Sequence, residues 1–175
     1  GLNEALQSTT RAGEIIRQMR AMTRKTQFST ETFELARVVK EALAIIAVTY
    51  GDLSIKCDLG PTALISGDFF QIQQVFINLI SNAYDSTGDR GRQITIQCTK
   101  GETHLEICVS DSGPGIDEEI LPKIFEAFVT TKPAGLGIGL SVTQTIIEAH
   151  GGHIRADNLP KEGASICFTI PFITP

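Results

Sequence analysis

No stretch of the 175 residues is apolar for long enough to cross a bilayer, and the chain does not open with the basic-then-apolar pattern of a signal peptide. The expectation is a soluble, cytoplasmic piece, with any membrane anchor upstream in a longer parent chain. Basic charge is also short. Fifteen Lys and Arg against 20 Asp and Glu leave a net charge of −5, which argues against a nucleic-acid-binding surface. The four cysteines, Cys57, Cys98, Cys108 and Cys167, include no CxxC pair and no metal-like spacing. Each falls in a strand-like run, so they read as small apolar core residues in a reducing compartment. What remains is 42% hydrophobic and long enough for one globular domain plus an appendage.

The appendage is a proline-free stretch over 2–25. Leu2, Leu6, Ile15, Ile16, Met19 and Met22 make a narrow stripe along one long helix. So thin a stripe packs on a partner helix rather than folding alone. Its later part carries Arg11, Arg17, Arg20, Arg24 and Lys25 against Glu14, either a solvated face or a docking surface.

From Phe28 the pattern changes. Ser29 or Thr30 can cap a helix that buries Leu35, Val38, Val39, Ala42, Leu43 and Ile46 and runs to about residue 50. Strands are predicted over 53–57 and 63–66, and Asp68 caps a helix over 69–86. There Ile72, Val75, Phe76, Leu79, Ile80 and Ala83 form the core stripe, and Asn78, Asn82 and Asp85 share the neighbouring face. Asparagine is a poor interior helix former. Two of them one turn apart point either to a hydrogen-bonded polar edge or to oxygens for a Mg²⁺ shell.

Strands over 93–99 and 104–110 form a hairpin, the second alternating Leu105, Ile107 and Val109 on one face. It runs straight into Asp111-Ser112-Gly113-Pro114-Gly115-Ile116. A carboxylate fixed at a strand end accepts hydrogen bonds and suits the exocyclic amine of an adenine, while the glycines let backbone approach a ligand closely. A short helix is predicted from Asp117, carrying Ile120, Leu121, Ile124 and Phe125. Beyond Glu126 the periodicity fails, through Phe128, Thr130, Thr131 and Lys132 to Gly135, Gly137 and Gly139, before an apolar helix over 141–150. Glycines leading into a helix N-terminus offer free N–H groups and the helix dipole to a phosphate, and Lys132 and the two threonine hydroxyls add donors. The GxGxG spacing without a preceding strand is not a dinucleotide fingerprint, and no Gly-Lys-Ser/Thr ends it. Strands over 153–156 and 164–171 close the chain. The whole reads as an α+β two-layer sandwich: a mixed, mostly antiparallel sheet with helices on one face, preceded by the long N-terminal helix.

Three blocks, QIQQVFINLISNAYDS, DSGPGI and IFEAFVTTKPAGLGIGLSVTQTIIEAHGG, resemble in this order the nucleotide sites of the GHKL superfamily (gyrase, heat-shock ATPase, histidine kinase, MutL), built on the Bergerat-type ATP-binding fold. Their wording is similar to bacterial sensor histidine kinases of the FixL- and NtrB-like group. The resemblance implies a catalytic ATP-binding domain over 28–175, and over 1–27 the second helix of a dimerisation and phosphotransfer hairpin. It implies ATP and Mg²⁺ as ligands, with Asn82 the metal-binding asparagine and Asn78 its neighbour one turn earlier, beside Asp85. It implies Asp111 as the adenine-reading carboxylate, with Gly113, Gly115 and Ile116 around it. Phe125 and Phe128 fall in the lid over the nucleotide, and Thr130, Thr131, Lys132, Gly135, Gly137, Gly139 and Leu140 at its phosphate end.

The superfamily's ATPases carry a glutamate four residues before the metal asparagine, as the base that activates water. Here that position is Asn78, which cannot take a proton. Transfer to another nucleophile is therefore favoured over hydrolysis. Histidine kinases present an acceptor histidine followed by Glu or Asp and then proline. No such pattern is present, and His104, His150 and His153 read as structural or surface residues. The implied function is donation of the γ-phosphoryl of Mg-ATP to a histidine on a dimerisation helix of the same or a sister protomer, absent from this chain. A downstream response regulator and an upstream sensor domain are the implied partners. A non-catalytic nucleotide-binding module and a serine-directed kinase of the anti-sigma type are the alternatives.

Overall fold

The computed structural model describes residues 29–51, 53–60, 63–88, 93–132 and 135–173. The helix expected over 1–27 lies outside the described residues. Strand alternation builds the sheet. β4 (Gln93–Lys100) and β5 (His104–Asp111) turn Ile94, Ile96, Leu105, Ile107 and Val109 to one face and pair antiparallel from Ile94↔Asp111 to Lys100↔Leu105. β7 (Ala164–Ile173) lies antiparallel on the other side of β5. The far edge of β7 takes β6 (Ile154–Asn158) along its first half and β3 (Leu64–Gly67) at its end. β1 (Glu31–Glu34) pairs with β3, and β2 (Ser54–Asp58) runs parallel to β4 at the opposite edge. The sheet is thus mixed and mostly antiparallel, ordered β1-β3-β7-β5-β4-β2 with β6 beside β7.

Three helices, α1 (Leu35–Tyr50), α2 (Phe69–Thr87) and α3 (Gly139–Ala149), bury their apolar stripes against the inward face of the sheet. In α2, Ile72, Val75, Phe76, Leu79 and Ile80 are at most 1% exposed, and Phe76 meets Phe168 of β7 edge to face at 5.7 Å. Burial contributes about 2 kcal/mol for each such side chain, which fixes α2 firmly enough to carry a row of polar residues alongside. Asp68 caps α2 as its sequence predicts, its Oδ1 accepting the Gln71 N–H at 3.1 Å.

Three expectations fail locally. Residues 31–34, expected in the first turns of a capped helix, form β1 instead, and α1 begins at Leu35 with no side-chain cap. Phe33 explains the change: it is 3% exposed and packs edge-on against Phe69 at 5.0 Å, a position that the extended pairing with β3 provides. The helix expected after Asp117 shrinks to a single 3-10 turn, Leu121–Lys123, and the chain leaves helical geometry altogether at Phe128, whose φ is 70°. The cysteines also differ. Cys108 and Cys167 stand directly opposite in the β5–β7 register, with Cα atoms 4.1 Å apart, and are joined as a disulfide. Their pairing depends on strand register, which spacing along the chain does not reveal. Cys57 is exposed on edge strand β2, Cys98 is partly buried against the core, and Cys167 is buried as expected, though in a disulfide.

Candidate functional site

The second half of α2, the end of β5 and the segment leading into α3 enclose a cleft of about 990 Å³. Its floor is apolar, made by Val109, Ala164 and Ile166, with Ile116, Ile120 and Ile124 along the wall. Asp111 stands at this end. Its Oδ1 accepts the Gly113 N–H at 2.8 Å, which folds the chain back at the end of β5. A Cβ on Gly113 would lie 2.8 Å from that oxygen, 2.9 Å from the Ser86 carbonyl oxygen and 3.0 Å from the Ser86 hydroxyl, so α2 and the turn approach there only because the turn has no side chain. Gly115 has φ of 86°, the left-handed region that favours glycine.

Farther along, Asn82 and Asp85 project from neighbouring turns of α2 and meet Lys132. The Lys132 ammonium donates to Asp85 Oδ2 at 2.6 Å and to Asn82 Oδ1 at 3.1 Å. The Thr130 hydroxyl oxygen accepts the Lys132 backbone N–H at 3.0 Å, fixing the start of the lysine. One cation is therefore already held between an amide oxygen and a carboxylate oxygen. These are the hard donors that a Mg²⁺ ion takes, so the residues fit that metal.

The third corner is the approach to α3. The Gly137 carbonyl oxygen accepts the Phe128 N–H at 2.9 Å, which brings these two positions together. A Cβ on Gly137 would come within 2.6 Å of the Phe128 carbonyl carbon and the Val129 oxygen, at a φ of 66°. α3 has no side-chain cap, and its first backbone bond runs from the Val142 N–H to the Ile138 carbonyl. The N–H groups of Gly139, Leu140 and Ser141 precede that bond and carry the positive end of the helix dipole.

The predicted residues Asn78, Asn82, Asp85, Asp111, Gly115, Ile116, Thr130, Thr131, Lys132, Gly135, Gly137, Gly139 and Leu140 all line the cleft. Gly113 backs Asp111 without lining it. Phe128 is not brought in: its positive φ turns the ring outward, 75% exposed. Asn78 is engaged with protein partners. Its Nδ2 donates to the Gly139 carbonyl at 3.3 Å and the Thr143 hydroxyl at 3.4 Å, and its Oδ1 accepts from Gln74 at 2.7 Å. The Nδ2 end thus ties α2 to the first turns of α3, while the Oδ1 end is held by Gln74 one turn earlier on α2 itself.

Tyr50, Ser86, Ile138, Ala164 and Ile166 also line the cleft, though the sequence reading does not single them out. Gly163 does not line it but supports it: φ is 100°, and a Cβ there would overlap the Asp111 carbonyl. Its turn is legible in the sequence, but the register that sets it beneath Asp111 is not. None of the three histidines lines the cleft. His150 is buried beyond the end of α3. Its Nε2 accepts the Asp68 N–H at 3.0 Å, so the ring proton sits on Nδ1 and is donated to the Ile146 carbonyl at 2.7 Å. Burial pushes its pKa down from 6.5, against the opposing pull of the Ile146 carbonyl and the Asp68 charge.

The family described as histidine kinase-, DNA gyrase B-, and HSP90-like ATPase matches residues 67–174. The sensor protein FixL of Bradyrhizobium diazoefficiens is 33% identical over 175 residues, covering 97% of this chain and 35% of that protein. The chain therefore spans about a third of the length of this relative. Among solved structures, the nucleotide-free catalytic domain of histidine kinase ThkA is 33% identical, with a TM-score of 0.71 over 83% of this chain and 96% of that domain. Histidine kinase ThkA in complex with response regulator TrrA is 29% identical, with a TM-score of 0.75 over 98% of this chain and 49% of that one. With the family model over 67–174 and the catalytic domain of histidine kinase ThkA 33% identical across 96% of its length, the chain belongs to the histidine kinase-, gyrase B- and HSP90-like ATPase family, as a catalytic ATP-binding domain of the histidine kinase branch.

Proposed function

We propose that the cleft binds Mg-ATP and presents the γ-phosphoryl to a histidine on a dimerisation helix outside this chain. The observation that carries the reading is the convergence of three different chemistries on one cavity. Asp111, with only acceptors to offer, suits the adenine amine beside an apolar floor. The N–H groups opening α3, with Lys132 and the threonine hydroxyls, suit the phosphates at the other end. Asn82 and Asp85 would hold Mg²⁺ between these ends, where its charge would offset that of the phosphates.

What the cleft lacks is a base for water at the position where the family's ATPases carry one. Asn78 takes no proton, and both ends of its amide are engaged. The chain's own residues therefore bind, align and neutralise, which is how phosphoryl transfer is accelerated when the nucleophile comes from elsewhere. An acceptor helix of the same or a sister protomer supplies that nucleophile, and a response regulator receives the group next. The solved complex of ThkA with its response regulator supports the second step. Asn82 and Asp111 are the residues on which nucleotide binding depends most.

The test supplies the missing acceptor. A separately produced helical hairpin bearing the acceptor histidine, incubated with this chain and γ-labelled ATP, should gain acid-labile, base-stable phosphate. The chain alone should gain none and release little inorganic phosphate. Rapid phosphate release without label on the hairpin would mark a hydrolase instead.

A further inference from the structure

We propose that Asn158, outside the cleft, is a positioning residue for base recognition, holding the Asp111–Ile116 loop where Asp111 reads the base. The inference rests on the reading of the cleft as an adenine site. Asn158 ends β6, 42 positions after Ile116 in the chain. Its Oδ1 accepts the Ile116 N–H at 2.7 Å, and its Nδ2 donates to the Ile116 carbonyl at 2.7 Å. One side-chain amide thus satisfies both backbone groups of one residue, as a neighbouring strand would. Ile116 itself lines the cleft.

Two further observations tie the same turn to the loop. A Cβ on Gly115 would lie 2.9 Å from Asn158 Oδ1, so the amide packs on the one residue there whose φ requires glycine. Gly163 accepts the Leu159 N–H at 2.9 Å, closing the turn between β6 and β7, and its own Cα abuts the Asp111 carbonyl. The turn therefore grips the loop at both ends, Asp111 through Gly163 and Ile116 through Asn158. Among the described residues, the loop's other side-chain bonds, from the Gly113 N–H to Asp111 and from the Gln93 N–H to Ser112, hold its first half. Without Asn158 the half that carries Ile116 loses its side-chain anchor. Asn158 is exposed, so its removal empties no core space.

The test compares ATP with ITP, which carries a ring carbonyl where adenine carries its amine and is rejected by a carboxylate acceptor. Calorimetry on the parent chain should show a clear preference for ATP. Asn158→Ala should weaken ATP by about tenfold and ITP by less than about twofold, collapsing the preference while the circular dichroism and melting of the free domain stay unchanged. Asn158→Asp keeps the acceptor but sets a carboxylate against the Ile116 carbonyl, and should collapse it as well. Equal weakening of both nucleotides, or no weakening, would overturn the proposal. Asp111→Asn separates the two levels. If it abolishes the preference while Asn158→Ala keeps it, Asn158 has no such role. If it keeps the preference, or the parent has none, the adenine reading falls and this inference with it.

Discussion

An ammonium set between an amide oxygen and a carboxylate marks ground for which a second cation competes, and Lys132 occupies such ground between Asn82 and Asp85. Asn82→Ala removes one of those oxygens without touching the core stripe of α2. It should erase most of the Mg²⁺ dependence of ATP affinity, read by titrating ATP with and without the metal; an unchanged dependence would place the metal elsewhere. His150 is a residue of another kind. It stays neutral because its Nε2 must accept from Asp68, and burial depresses its pKa. As pH falls through about 6.5, the unfolded chain takes up a proton that the folded chain resists, so stability falls with it. Urea midpoints between about pH 7.5 and about pH 5.5 should drop more steeply for the parent than for His150→Gln. Equal slopes would contradict the assignment.

At the scale of elements, α2 and α3 share the apolar core and are also tied by a buried polar side chain. Asn78 reaches the first turn of α3, where the lid returns to the body of the domain. Asn78→Leu should lower stability by about 1–3 kcal/mol in denaturant titration, because the partners of its amide lose a buried bond. A stabilised variant would show that the tie carries no weight. This element was legible in the sequence only in part. The spacing of Asn78, Asn82 and Asp85 correctly puts them on one face of α2, since helical periodicity alone decides that. It does not say that Asn78 turns to a neighbouring helix while Asn82 turns to the lid. The exposed position of Phe128 was illegible for a related reason: it goes with a positive φ in a stretch without periodicity. Phe33 made β1 out of a predicted helical turn because packing on Phe69 outweighed local capping.

For the whole molecule, most of the strands, their mostly antiparallel character and the layer of helices follow from alternation and helical stripes, and these were readable; the strand order was not. What was not readable needed register. The Cys108–Cys167 pairing and the brace that Asn158 and Gly163 form beneath the Asp111 loop join residues more than forty positions apart. The functional reading stands on this assembled cleft, in particular on Asp111 as the residue that selects adenine. The most direct measurement is calorimetric titration of ATP, with Mg²⁺, into the parent chain and into Asp111→Asn. The parent should bind, and the variant, with an amide that can no longer serve as a pure acceptor, should lose at least about tenfold in affinity. Equal affinity in the two would contradict the assignment of the cleft.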